Sequence, residues 1–290
     1  MCRRLHDYKL ACPNYKMFTE GSPCERCKGG NYLEAVKHRC LSNSTAHNLL
    51  AAFEMGMTKV SQSYEKTVRT FICPSEFMAD KMRSWGEPPS KFIVLPNPVE
   101  SPEVAVRPTS GVALYAGRLS PEKGIETLVR AAARVPEIRL RIAGIGPEEE
   151  RLKSLVKSLG AQNIEFLGFL RSPELQSERR RAGVLAVPSV WYENAPLAVL
   201  EAMAEGLPIM ASRIGGLPEL VTPDQNGWLV EPDDVSAWTT ALNAFQKQSD
   251  DDLAELGRAS HARAIARHGW ETHLSALDRI YTGEKPRLTA

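Results

Sequence analysis

The chain has almost no net charge: 36 lysines and arginines stand against 35 aspartates and glutamates, a formal +1 over 290 residues. Such a balance provides no global field to hold a nucleic-acid backbone or an anionic membrane, so any anion must be bound by a local cluster of groups. Long apolar runs are missing too; none approaches the roughly 18 residues that would span a bilayer. The opening MCRRLHDYKLACP is basic but lacks the apolar core of a secretion signal. A cytoplasmic protein is expected, at most peripheral at a membrane, with no transmembrane segment and no nucleic-acid partner. Cysteine is absent after Cys73, while Cys2, Cys12, Cys24, Cys27 and Cys40 crowd the first forty positions. These thiols serve local chemistry and not a disulfide framework for the whole fold.

With 43% hydrophobic residues, the chain can bury one large core or two modest ones. From Gly111 onward, short β-rich runs alternate with segments of helical period, the pattern of a parallel sheet covered by helices. VALYAG reads as a strand, and GIETLVRAAARV as a helix with Ile125, Leu128, Val129, Ala132 and Val135 on one stripe. LRIAG, IEFLG, GVLAVPS, LPIMAS and GWLV supply further strands. Before Gly111, TFICPS and KFIVLPN read as strands, with a helix starting near Ser75 between them. The stretch PNPVESPEVAVRPTSG, with four prolines and no helical or strand period, reads as a linker, with a domain boundary near residues 98 to 110. The expected division is an N-terminal region with its cysteines over 1–100, a linker over 101–110, a ligand-binding α/β domain over 111–232, and C-terminal helices over 233–290. The tail is expected to break near Gly257 and Gly269, with Trp270, Leu274, Leu277 and Tyr281 as its apolar anchors.

Ligands of open parallel sheets sit at the carboxyl ends of the strands. GRLSPEKG places Arg118 and Lys123 between a strand and a helix, where two cations and a helix N-terminus suit a diphosphate; a solvated basic loop is the alternative. GIGPE and FLGFL are glycine turns that permit close approach to a planar base, and ordinary turns explain them equally. PSVWYENAPLAVLEAMAEGLPIMAS puts Glu193 in a loop and Glu201 on the helix behind it, with Leu197, Leu200 and Met203 as a core stripe. Glu193 and Asn194 offer acceptors to sugar hydroxyls, and Glu201 offers one to a ribose diol. Cys12, Cys24, Cys27 and Cys40 supply enough thiolates for a structural zinc, against reduced, packed thiols or a labile disulfide. Asp250, Asp251 and Asp252 begin a helix and complement its dipole, so they are not read as a metal motif.

In their order along the chain, LYAGRLSPEKG, IAGIGPE, IEFLGFL, VPSVWYENAPLAVLEAMAEGLPIMAS, GGLPELV and NGWLVEPDD resemble the family four glycosyltransferases, retaining enzymes of the GT-B fold. HDYKLACPN, the Cys24–Cys27 pair, HRC, FICPSEFMADKM and VLPNPV resemble the latter half of that family's N-terminal acceptor domain. The resemblance implies two Rossmann-like domains, the C-terminal one complete and the N-terminal one incomplete, its first βαβ units and glycine-rich loop lying outside the pattern found here. It implies transfer of a hexose from a nucleoside diphosphate sugar to a hydroxyl acceptor (a glycan, a lipid-linked sugar or a small molecule) with retention, in glycan or polysaccharide biosynthesis, with no catalytic cofactor. Arg118 and Lys123 would meet the donor diphosphate, Glu193 and His6 the transferred sugar, and Glu201 the ribose. Gly117, Gly146, Leu170, Asn194, Ala195, Pro196 and Leu197 would line the rest of the donor site. The same architecture also serves epimerases, phosphorylases and non-catalytic nucleotide-sugar-binding fragments.

Overall fold

The computed structural model describes residues 1–85, 89–100 and 109–283. Most of the expected linker, residues 101–108, lies outside them. Two parallel sheets organise the chain. The smaller contains β1 (Cys2–Arg4), β2 (Thr70–Cys73) and β3 (Phe92–Val94), in that order. It is accompanied by α1 (Thr45–Ser61) and α2 (Glu76–Arg83). Ser75 starts α2 as expected, its hydroxyl accepting from the Met78 amide at 3.2 Å.

The larger sheet holds β4 (Val112–Ala116), β5 (Arg139–Ala143), β6 (Ile164–Gly168), β7 (Val184–Val187), β8 (Ile209–Ser212) and β9 (Gly227–Val230). Their order is β9-β8-β7-β4-β5-β6, and every pairing is parallel. Helices on both faces explain why β8 is buried along its whole length. Successive residues of β4 enter opposite cores. Ala113 and Tyr115 pack with Leu128 of α3 (Ile125–Ala132) and with Trp238 and Phe245 of α8 (Val235–Gln246). Leu114 packs with Leu200 and Met203 of α6 (Leu197–Ala204) and Ala264 of α9 (Asp250–His268). The helices α4 (Glu149–Ser158) and α5 (Ser172–Arg181), with the short α7 (Leu217–Leu220), complete the connections. All five residues of the expected 125–135 stripe are buried.

The chain leaves β4 toward one edge and returns at β7 on the other side, so β4 and β7 flank a topological switch point. The loops after these strands meet there. Gly124 has φ +64, and a Cβ on it would stand 2.1 Å from the Pro188 carbonyl oxygen; the Val190 amide donates to the Glu122 carbonyl at 3.0 Å.

The tail departs from expectation in two respects. Helix α9 runs unbroken through Gly257, which is buried within it; the first interruption falls instead at residues 247–249, where Ser249 and Asp252 form a capping box. In α10 (Trp270–Thr282) the buried residues are His273, Ala276 and Ile280, while Trp270, Leu274 and Tyr281 are exposed. Of the expected anchors, Leu277 joins Ala276 and Ile280 against Ile72 and Leu95, and Trp270 meets His273 edge to face. The helix is rotated relative to the expected stripe because its target is the small sheet. Likewise Leu197 is 57% exposed although Leu200 and Met203 are fully buried.

Candidate functional site

Glu193 lies at the switch point and is only 5% exposed, so its carboxylate requires partners. Lys123 Nζ and Ser189 Oγ both donate to Oε1 at 2.7 Å. Two bonds on one oxygen leave Oε2 as the acceptor this carboxylate can offer. Lys123 also stands 5.1 Å from the centroid of the Trp191 ring, and the Gly216 amide holds the Glu193 carbonyl at 2.6 Å.

The next residues tie this loop to the N-terminal segment. Tyr8 donates to Asn194 Oδ1, Asn194 Nδ2 donates to the His6 carbonyl at 3.3 Å, and Asn97 Nδ2 donates to the Ala195 carbonyl at 3.1 Å. Burial, with the negative Glu193 nearby, pushes the Tyr8 hydroxyl far above its ordinary range and keeps it a donor. His6 is thus brought beside Asn194 through its backbone, with its side chain exposed.

Arg118 is exposed and makes no ion pair with a described residue. With Gly117, Gly144, Gly146, Phe169 and Leu170 it lines a largely apolar cavity of about 590 Å³. A Cβ at position 146 would fall 2.2 Å from the Leu119 carbonyl oxygen, so the floor of the cavity depends on glycine there. Pro196 caps α6; the Val199 and Leu200 amides turn back to its carbonyl at 3.0 and 3.3 Å, and those of Leu197 and Ala198 open the helix. Glu201, on the same helix, accepts from Arg179 Nη1 at 3.1 Å.

Several contributors escaped the sequence reading. Ser189 lies within VPSVWYENAPL, where nothing local marks it as a partner of Glu193. Lys16 pairs with Glu122 at 2.9 Å; burial pushes that carboxyl upward, but the Lys16 hydrogen bond and charge outweigh it and hold the group below its usual range. Glu219 receives the Phe77 amide on Oε1 at 2.6 Å and the Glu76 amide on Oε2 at 3.0 Å, capping α2 from the other sheet, and burial raises its pKa. No local signal in GGLPELV announces that partner.

The four cysteines expected to ligate zinc converge on a cavity of about 10 Å³, together with Glu34 and His38. All are free thiols. Among the described residues, however, no three His, Cys, Asp or Glu side chains are arranged to hold a metal ion. The thiols are packed instead as buried and half-buried groups. The Cys12 thiol donates to Asn14 Oδ1 at 2.9 Å, and burial pushes Cys12 up to about 11 and Cys27 to about 12. No described helix is long and apolar enough to cross a membrane.

Parallel sheets, with loops of the larger one meeting the N-terminal segment at a switch point, define a GT-B architecture. The family model for glycosyl transferases group 1 matches residues 98–263, and the chain belongs to that family. It is 33% identical over 197 residues to WcaL of Escherichia coli (strain K12), named for colanic acid biosynthesis, covering 63% of this chain and 48% of that protein. To the sulfoquinovosyl transferase SQD2 of Arabidopsis thaliana it is 33% identical over 185 residues, covering 61% and 35%. The chain spans about half the length, or less, of the curated relatives it matches. The solved sucrose-phosphate synthase of Thermosynechococcus elongatus superposes with a TM-score of 0.70 at 26% identity, covering 87% of this chain and 65% of that one.

Proposed function

We propose that this chain forms the donor side, with part of the acceptor side, of a retaining glycosyltransferase. It moves a hexosyl group from a nucleoside diphosphate sugar to a hydroxyl acceptor in glycan biosynthesis. The observation that carries this reading is the Lys123–Glu193–Ser189 cluster at the switch point, with its carboxylate buried. Relatives support the chemistry: the similarly folded HepE of Anabaena was solved with UDP and with UDP-glucose.

In this reading the donor base enters the cavity between Gly117, Gly146 and Leu170, and Glu201 accepts from the ribose. Lys123 and Arg118 face the diphosphate with the first amides of α6, so charge develops against fixed cations and dipoles. Glu193 keeps Oε1 on Lys123 and Ser189 and offers Oε2 to a sugar hydroxyl, while Asn194 and His6 border the sugar from the acceptor side. No protein nucleophile is required, nor any catalytic cofactor. As the anomeric bond to the diphosphate oxygen breaks, a diphosphate oxygen takes the acceptor's proton and the acceptor oxygen bonds the same face of the anomeric carbon.

Titration of the chain with UDP, GDP and ADP by calorimetry tests this assignment. One of them binds, and Lys123→Ala weakens it by about 10- to 100-fold, the loss expected for a charge-assisted bond. Glu193→Gln retains binding of the nucleoside diphosphate but loses transfer from its sugar. Undiminished binding in the first variant together with undiminished transfer in the second refutes the assignment.

A further inference from the structure

Glu201 is not an isolated carboxylate. It precedes Glu205 by one helical turn, a spacing at which like charges repel. Arg179, from the last turn of α5, is inserted between them. Its Nε and Nη2 donate to the two oxygens of Glu205 at 2.8 and 2.6 Å, and its Nη1 donates to Glu201 Oε2 at 3.1 Å. The side chains of Arg179 and Glu205 are 5% and 8% exposed, whereas that of Glu201 is 46% exposed. One end of the triad is sealed; the other opens to solvent.

Burial pulls the Arg179 pKa down, but hydrogen bonds and charge from the two carboxylates outweigh it, so the guanidinium is held charged. Stability alone does not account for the arrangement, because apolar residues of similar volume pack as well as a buried ion pair. Geometry does. A bidentate carboxylate fixes the plane of the guanidinium fork, and the remaining donor then fixes one oxygen of Glu201 and with it the carboxylate plane. Two carboxylates and one guanidinium carry a net negative charge, and its accessible share lies on Glu201. Such a site accepts hydrogen bonds from hydroxyls and repels phosphate.

Resting on the donor reading above, we propose that Arg179, clamped by Glu205, is a positioning residue for Glu201. The clamp makes the site selective for the unmodified vicinal diol of a ribose over a deoxyribose or a ribose phosphorylated on its 2′ or 3′ oxygen.

The test compares whichever of UDP, GDP and ADP binds most tightly with its 2′-deoxy counterpart, by calorimetry on the full chain. The wild type prefers the ribose form by about tenfold, the loss of one well-placed hydrogen bond to a charged acceptor. Arg179→Met combined with Glu205→Met leaves no unpaired buried charge and brings the ratio near one, with affinity for the deoxy form retained; Arg179→Lys gives an intermediate ratio. A merely structural role would lower the melting temperature and both affinities together, so an unchanged ratio in the double variant overturns the proposal. Glu201→Gln separates the two levels. If the wild type binds none of the three diphosphates, the donor reading itself fails; if it binds one but Glu201→Gln keeps the full ratio, the ribose contact is not at Glu201 and the clamp has no such role.

Discussion

The six-stranded sheet takes the cover of both faces from helices within or just after it in sequence, whereas the three-stranded sheet covers one face with its own α2 and borrows the cover of the other from far along the chain. Leu128 follows β4 within one connection and packs back on it. Ile72 and Leu95, by contrast, pack on Ala276 and Ile280, and the first turn of α2 is capped by Glu219, 142 residues beyond Phe77. The larger sheet is thus enclosed by its own connections; the smaller is enclosed by its own on one face and by its attachment to the rest on the other. Most of those attachments land at or beside the candidate site: Tyr8 and His6 on Asn194, Asn97 on Ala195, Lys16 on Glu122. Loosening the small sheet should therefore disturb the contacts to Asn194 and Ala195 before it disturbs the loops after β4 and β5 of the larger sheet.

The strongest way to break this contrast is in the larger core. Leu128→Ala removes a fully buried side chain and is expected to cost about 2 to 5 kcal/mol. Urea unfolding should show it; a loss well under ~1 kcal/mol would mean that this core is not what holds the loops of the larger sheet.

The junction between the regions responds to pH. His268 is buried, with Nδ1 2.8 Å from the Asn97 carbonyl, and burial pulls its pKa from 6.5 to about 4. The unfolded chain takes up this proton first. Its contribution is therefore complete above pH 6.5 and is lost as the pH falls toward 4, on the order of 3 kcal/mol. Unfolding free energies at pH 7 and pH 4.5 should fall less steeply in His268→Asn than in the wild type; parallel slopes would contradict the assignment.

A smaller effect sharpens the comparison further. Glu219→Ala deletes the acceptor of two α2 amides and should cost about 1 to 2 kcal/mol. Hydrogen exchange should quicken across residues 76–83 while β7 and β8 remain protected. Equal acceleration in both regions would show that they open as one unit.

Much of the fold was legible because its signals are local. Strand β4 and the 125–135 stripe followed from alternating period, and Ser75 and the Asp250–Asp252 run announced their helix starts. Residues near β4 and β7 could be placed at the site because parallel sheets present their loops at one edge. Less was legible where a helix face is chosen by a distant partner. The stripe expected from Trp270 to Tyr281 is plausible for an isolated helix, yet His273, Ala276 and Ile280 are buried because the small sheet lies on that side. Gly257 is tolerated inside α9 by packing that no neighbouring residue foretells.

By itself, the sequence determined the strand–loop–helix alternation, with Arg118, Lys123 and Glu193 on loops of the larger sheet and Glu201 on a helix, because those depend on period and on short spacing. Only the tertiary structure decided which polar groups meet: Ser189 with Lys123 on one oxygen of Glu193, Arg179 between Glu201 and Glu205, Glu219 on α2. A buried charge must find its hydrogen-bonding partner wherever the folded chain brings one, and no periodicity along the chain encodes an approach across many tens of residues.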